Sequence, residues 1–68
     1  MLWGYEIKDE RGFVLGDEGE YAFRLKQDAF LDALDYAADI VKDNEVEKRI
    51  IIEVQPVNED YVNPDYVK

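Results

Sequence analysis

The sequence predicts an α+β domain with the element order β-β-β-α-β, in which one helix packs on a small antiparallel sheet. Apolar and polar residues alternate over much of the first 25 positions, and such alternation is typical of half-buried strands. One stretch with helical periodicity follows, and a run rich in Ile and Val comes after it. Consecutive strands followed by a single helix indicate a two-layer α+β architecture rather than a parallel sheet.

The first two predicted strands occupy residues 2–8 and 13–15. The first strand alternates, with Gly4, Glu6 and Lys8 on the face opposite the apolar set. The apolar set is Trp3, Tyr5 and Ile7. Residues 9–12, a polar stretch that ends in glycine, are typical of a turn and separate the two strands.

A third strand is predicted for residues 20–25, with Tyr21, Phe23 and Leu25 at alternate positions. The preceding residues 16–19 begin and end with glycine, a residue that adopts positive φ without a steric penalty. Three short strands joined by two tight turns most simply form an antiparallel meander. We therefore expect the three large apolar residues to face inward.

The helix is predicted for residues 28–42. Its apolar residues recur at intervals of three and four, which places them on one wide face. We expect this face to pack on the sheet. Its members are Phe30, Leu31, Ala33, Leu34, Ala37, Ala38, Ile40 and Val41. Asp28 suits the positive end of the helix dipole, and Asn44 is an acceptable residue after the helix.

The last predicted strand covers residues 48–55 and ends at Pro56. Its alternation directs Ile50, Ile52 and Val54 towards the helix and Ile51 towards the open side of the sheet. Ile51 is therefore either covered by the C-terminal segment or part of a patch for self-association. We expect residues 1–56 to form the single domain of the chain.

Residues 57–68 form an acidic and aromatic C-terminal arm in this prediction. The arm contains a near-repeat of five residues, in which positions 58–62 are followed at once by the similar positions 63–67. Two interpretations remain open for it. The arm is either a loosely docked terminus or a segment that binds a partner or adds to a sheet edge.

The composition excludes most catalytic chemistry. The chain of 68 residues contains no His, Cys, Ser or Thr. It therefore lacks the usual general acid–base residue and every common nucleophile except carboxylate, Lys and Tyr. A chain of this length also has little room for a substrate pocket of about 300 Å³ or more. We expect no enzymatic activity, no catalytic residues and no cofactor.

The net charge of −9 indicates which partners are favoured. An acidic chain repels nucleic acid and anionic lipid, and it attracts basic proteins. The first residues contain neither a basic segment nor a long apolar run, so we expect no signal peptide and no membrane span. The absence of cysteine is consistent with a cytoplasmic location. We expect a monomer or a homodimer that binds a basic protein.

The most informative feature of the sequence is a row of aspartates at helical spacing. The row consists of Asp28, Asp32, Asp35, Asp39 and Asp43, with Lys42 as its only basic neighbour. The first four lie within about 60° of one another around a helix. A solvated helix face typically pairs Glu with Lys, and Asp is up to about 0.7 kcal/mol worse than Ala as a helix former. The row therefore has a cost for helix stability and suggests a binding surface.

Glu45 and Glu47 extend this acidic region, and Tyr36 lies beside it at about 80° from Asp28 around the helix. The spacing between neighbouring carboxylates is about 6 Å, which is shorter than the Debye length of about 8 Å, so the charges act as one field. Tyr36 is either an exposed anchor that stacks on an arginine or a residue half-packed on the sheet. The alternative for the whole region is a solubilising surface.

A metal site is the other chemistry that grouped carboxylates suggest. Asp32, Asp35 and Asp39 share one face and could attract Ca²⁺ or Mg²⁺. Side chains on one helix diverge instead of enclosing an ion, however, and the sequence contains no calcium-binding loop pattern. We therefore expect no metal.

In size, charge, missing residue types and an Asp-lined helix, the chain resembles the small phage-encoded DNA-mimic inhibitors. This group includes anti-CRISPR proteins, anti-restriction proteins and inhibitors of uracil-DNA glycosylase. The resemblance is one of composition and covers roughly residues 28–47. It implies an inhibitor that imitates phosphates and blocks the basic channel of a nucleic-acid-binding effector. The alternative is a non-enzymatic adaptor that binds a protein, or a second copy, through the open sheet face or the C-terminal arm.

Overall fold

The computed structural model describes residues 1–44 and 49–68 and shows one helix packed on a three-stranded antiparallel sheet. The strands are β1 (Leu2–Asp9), β2 (Val14–Asp17) and β3 (Ile50–Val57), and the helix is α1 (Lys26–Asn44). β1 is the central strand, and β2 and β3 pair with it on either side. The predicted class, an α+β fold with a helix on a small antiparallel sheet, is confirmed. The element order is β-β-α-β.

Residues 20–25 do not form the third strand that the sequence predicted. They make two isolated bridges, one between Phe23 and Trp3 and one between Ala22 and Val67. Phe23 is buried as expected, but Tyr21 and Leu25 are exposed. The segment shares one edge of β1 with β2, and it stays short because α1 begins at Lys26.

The bounds of the other elements differ from the prediction by a few residues. The helix begins two residues earlier, where the Leu25 carbonyl accepts hydrogen bonds from the amides of Asp28 and Ala29 at 3.1 and 3.3 Å. The last strand continues past Pro56, which pairs with Trp3. Proline is tolerated here because β3 lies at the edge of the sheet.

The core contains large side chains from the sheet side and, apart from Ile40, small ones from the helix. The buried residues of the first group are Tyr5, Ile7 and Phe23, and those of the second are Ala29, Ala33, Ala37 and Ile40. Ile50, Ile52 and Val54 pack against this cluster from β3, as predicted. Large residues on one layer leave room only for small residues on the facing layer.

The predicted helix face was therefore wrong in its membership. Ala33, Ala37 and Ile40 are buried, but the bulkier residues predicted beside them are not. Phe30, Leu34 and Val41 are 44%, 44% and 42% exposed, and Leu31 and Ala38 are also exposed. The apolar arc of the helix is wider than the strip that touches the sheet.

The C-terminal near-repeat forms two short 3-10 turns, Glu59–Tyr61 and Pro64–Tyr66. Each is capped by an asparagine side chain that accepts a backbone hydrogen bond, Asn58 at 3.0 Å and Asn63 at 2.9 Å. The end of the segment pairs with the stretch that precedes α1, where the Lys68 amide donates to the Ala22 carbonyl at 2.8 Å. The segment does not cover Ile51, which is 43% exposed.

In the part of the chain that the structure describes, no helix is both long enough and apolar enough to span a membrane.

Candidate functional site

The helix α1 rests on the sheet along its alanines and leaves two flanks of different chemistry. One flank, here named the acidic flank, contains Asp28, Asp32, Asp35, Asp39 and Asp43. The other, named the apolar flank, contains Phe30, Leu31, Leu34, Ala38 and Val41. At about 100° per residue, the centres of the two flanks lie roughly 110–120° on either side of the sheet-facing alanines.

Contacts with the sheet show which strand each flank overlooks. Tyr36 borders the acidic flank, and its ring lies on Gly16 of β2, where an added Cβ would be 2.8 Å from the ring. Phe30 belongs to the apolar flank and lines a groove together with Val54 of β3. The acidic flank therefore faces the β2 edge of the sheet, and the apolar flank faces the β3 edge.

The structure brings the five predicted aspartates together along one flank. Asp28 and Asp32 are half-buried, and Asp35, Asp39 and Asp43 are exposed. The remaining two carboxylates of the predicted site, Glu45 and Glu47, lie outside the described residues.

No described lysine or arginine neutralises the acidic flank. Within residues 1–44 and 49–68 the ion pairs join Lys8 to Glu53 at 3.1 Å and the N-terminal amine to Glu59 at 3.8 Å. Neither pair involves an aspartate of the helix. Among the described residues, therefore, no cation cancels the negative charge of the acidic flank.

Asp32 differs from the other aspartates because it also has a structural contact. The Tyr5 hydroxyl donates a hydrogen bond of 2.7 Å to its Oδ2 atom. Burial of the ring raises the pKa of Tyr5 well above its ordinary value, and the hydrogen bond to Asp32 raises this pKa further. A neutral hydroxyl satisfies the carboxylate without cancelling its charge.

Tyr36 is half-packed on the sheet, which is one of the two alternatives that the sequence left open. Its ring packs on the backbone of Gly16, which orients the side chain from one side. It is nevertheless 40% exposed, so the other side of the ring is open to a cationic group. Stacking of an arginine on such a ring is worth about 0.5–1 kcal/mol at exposed sites.

Two carboxylates at the end of β2 make structural contacts that the sequence did not predict. Glu18 accepts a hydrogen bond from the Tyr5 amide at 3.0 Å, and Asp17 accepts one from the Gly19 amide at 2.8 Å. Both lie at the β2 edge of the sheet. Asp17 pairs with Glu6, and the Glu18 carboxylate lies beside Gly4. Alternation therefore places them towards the face of the sheet opposite α1 and away from the acidic flank. The acidic turn at residues 16–19 was the available signal, but the sequence gives no indication of its position relative to the helix.

The described carboxylates of the acidic flank are spread along the helix. Among residues 1–44 and 49–68, no three Asp or Glu side chains converge closely enough to hold a metal ion. Successive aspartates follow the helix axis, so their spacing suits an extended row of cations rather than one enclosed ion.

Comparison of the chain with protein-family models, with curated protein sequences and with solved structures finds no match.

Proposed function

We propose that this chain is a non-enzymatic, cytoplasmic inhibitor that covers a basic nucleic-acid-binding channel on another protein. The supporting observation is the acidic flank, a row of aspartates along one side of α1 with no cationic partner among the described residues. An exposed row of like charges opposes folding slightly. Binding to a cationic surface turns the same charges into favourable contacts.

The geometry of the helix suits imitation of a phosphate backbone. From Asp28 to Asp39 the axis advances about 16 Å, and the carboxylates project from a rigid element rather than a loop. Phosphates follow one another every 3.4 Å or so along each strand of a duplex, so the row is sparser than DNA but similar in sign and in linear form. Aspartate has a short side chain and loses little rotamer entropy when it meets a guanidinium.

The resemblance in composition to phage-encoded DNA mimics supports a narrower form of the proposal. The partner would then be a nucleic-acid-binding effector of bacterial defence, as for anti-CRISPR and anti-restriction proteins. In that complex the acidic flank, Glu45 and Glu47 take the place of phosphates, and Tyr36 stacks on an arginine. The chain itself binds no nucleic acid, because its net charge of −9 repels a polyanion.

The test is a competition experiment with purified RNA-guided nucleases and restriction enzymes as probes. The chain should displace fluorescently labelled DNA from one of them, and its affinity should fall linearly as the logarithm of the salt concentration rises. Displacement that does not change with salt would contradict phosphate imitation, because neutralisation of paired charges requires a salt dependence.

Two matched double variants locate the contact. Asp35→Asn combined with Asp39→Asn removes two charges from the acidic flank and should weaken binding about tenfold or more. Asp60→Asn combined with Asp65→Asn removes the same charge from the C-terminal segment, where both residues are exposed. If the second variant weakens binding as much as the first, net charge rather than the acidic flank is responsible.

A non-enzymatic adaptor is the second candidate. One observation favours it, namely the 43% exposure of Ile51 on the open face of the sheet. The C-terminal segment is a weaker basis for this candidate, since its end pairs with the stretch that precedes α1. An Ile51→Lys variant that abolished binding, while the doubly substituted acidic flank left it intact, would select the adaptor.

A further inference from the structure

We propose that the apolar flank of α1 and the free edge of β3 together bind a second copy of this chain, forming a two-fold symmetric dimer with a continuous six-stranded sheet. The inference concerns the side of the molecule opposite the acidic flank. It does not depend on the function proposed above.

The outer edge of β3 presents backbone groups ready for pairing. The amide of Trp3 donates to the Phe23 carbonyl at 2.8 Å, and the Trp3 carbonyl accepts from the Phe23 amide at 2.9 Å. The backbone amides and carbonyls of the odd-numbered residues of β1 therefore point away from β3. Alternation then directs the backbone groups of the even-numbered residues of β1 towards β3. Their partners in the register are residues 51, 53, 55 and 57. The backbone amides and carbonyls of Ile50, Ile52 and Val54 therefore point outward. In the described part of the chain, β3 has no strand on that side.

The same three residues fix the register of a symmetric pair. An antiparallel arrangement centred on Ile52 places Ile50 opposite Val54 of the second copy and uses all three outward amides. A shift towards the end of the strand would bring in Pro56, which has no amide to donate. In this register every cross-strand pair consists of β-branched residues, which favour strands.

The apolar flank lies directly above this edge and supplies the second half of the contact. Phe30 and Val54 line a groove between α1 and β3. From Val54 to Ile52 the strand advances about 7 Å, which equals four to five residues of helix. α1 runs antiparallel to β3, so Leu34 lies near the two-fold axis and meets Leu34 of the second copy.

The sizes of these side chains fit the spacing of the two helices. Two β1 strands separated by a pair of β3 strands lie about 14 Å apart, and helix axes in contact are usually 8–10 Å apart. Helices seated over the β1 strands need large side chains to bridge that gap. Phe30 and Leu34 on the apolar flank are large enough, whereas the alanines that face the sheet are not.

The exposed area is large for a chain of this mass. The chain has an accessible surface of 5054 Å². Scaling of surface with mass for monomeric proteins gives only about 4,450 Å² at 8.0 kDa. The excess of about 600 Å² approaches the roughly 800 Å² per partner of a standard interface.

The charge distribution permits self-association despite the net charge of −9. The acidic flanks overlook the two β2 strands, which are the outer edges of the joined sheet and lie about 24 Å apart. This separation is about three Debye lengths at physiological salt, so their repulsion is screened. The apolar flank is bordered by Lys26 and Lys42 on the helix. A single surface supplies both halves of the contact, as a two-fold interface requires.

The test is a mass measurement by light scattering and sedimentation across a concentration series. The wild-type chain should reach twice its monomer mass of 8.0 kDa. Leu34→Lys and Phe30→Lys should each raise the dissociation constant about thirtyfold or more, as a buried charge at the centre of an interface does. A chain that remains at the monomer mass at millimolar concentration overturns the proposal.

Val14→Lys is the matched control, because Val14 is 50% exposed on β2 at the other edge of the sheet. It should leave the dimer intact, and equal weakening by this variant would also overturn the assignment. Amide hydrogen exchange provides a second readout. The amides of Ile52 and Val54 should become more protected as concentration rises. A doubled mass without that protection would exclude pairing through β3.

Discussion

The two flanks of α1 belong to the same helix and are separated by a strip of alanines, yet they expose opposite chemistries. The acidic flank overlooks β2 with charged groups that no described cation neutralises. The apolar flank overlooks β3 with large side chains that remain about 40% exposed or more. An ordinary surface helix has one buried apolar stripe and one mixed polar face.

The fold therefore buries only part of the apolar surface of α1. Among the described helix side chains, only Ala29, Ala33, Ala37 and Ile40 are buried. The other apolar side chains of the helix are only partly buried, so they contribute less than their full burial free energy to folding. The aspartates lower the stability of the helix slightly. Packing within the described part of the chain therefore does not account for the composition of either flank, and the two proposals above assign each flank to a different partner. One suits a cationic surface, and the other suits an apolar one.

The largest effect is expected from enlarging a buried alanine in the strip that separates the two flanks. Ala33 is fully buried, so Ala33→Leu forces additional methyl groups into a packed layer and should lower the free energy of unfolding by about 3 kcal/mol. Ala38→Leu is the control, because Ala38 is exposed and Leu has a helix propensity close to that of Ala. Urea denaturation measures both. A comparable loss in the control would mean that the apolar flank is buried.

The next effect tests whether Asp32 belongs to the fold as well as to the acidic flank. Tyr5→Phe removes the 2.7 Å hydrogen bond to Asp32 and should lower the free energy of unfolding by about 1–2 kcal/mol. Tyr61→Phe serves as the control, since Tyr61 is 88% exposed. Thermal and urea unfolding should show almost no change in that control. An unchanged Tyr5→Phe protein would place Asp32 with the purely surface aspartates.

The pH dependence of stability follows from the same contact. The pKa of Tyr5 is raised in the folded state, first by burial and then by Asp32, whereas in the unfolded chain it stays near the ordinary value of about 10. Above that pH the folded state holds a proton that the unfolded state loses. Stability from this group is therefore complete below about pH 10 and decreases above it, by up to about 1.4 kcal/mol per pH unit. The advantage of wild type over Tyr5→Phe, measured by urea unfolding from pH 8 to 11, should shrink accordingly.

The smallest effect concerns the repulsion along the acidic flank. Asp35 and Asp39 are four residues apart on the exposed helix surface. Replacing both with Asn should therefore raise the free energy of unfolding by about 0.5 kcal/mol at low salt. The gain should disappear at high salt, where the repulsion is screened. Asp60→Asn combined with Asp65→Asn is the control for net charge. A loss of stability in the helix variant would show that these two aspartates are held by contacts within the fold.

The elements that could be predicted were those with an unambiguous local pattern. Three patterns identified those elements to within a few residues: the alternation in β1, the Ile-rich sequence of β3 and the helical spacing of α1. Residues 20–25 alternate as clearly, but two bridges replaced the strand. Alternation reports which side chains can face a core. It does not report whether a neighbouring backbone edge is long enough for a ladder.

The acidic flank could be predicted because charge and spacing along one helix are properties of the sequence alone. The apolar flank could not, because periodicity cannot tell which apolar residues face the sheet when the arc is wide. Tyr5, Ile7 and Phe23 fill the space between the layers, so only small side chains fit opposite them. The pairing of Asp32 with Tyr5 joins residues 27 positions apart and likewise needs the folded chain.

By itself the sequence determined the α+β class, the lack of the usual catalytic residue types and the alignment of aspartates along one helix, since each depends on composition or on short-range spacing. The tertiary structure alone decided which side of α1 meets the sheet, because that choice depends on the volume of side chains contributed by distant strands. It also decided that the acidic and apolar flanks overlook opposite edges of the sheet, because the helix lies above the central strand β1 and has β2 on one side and β3 on the other.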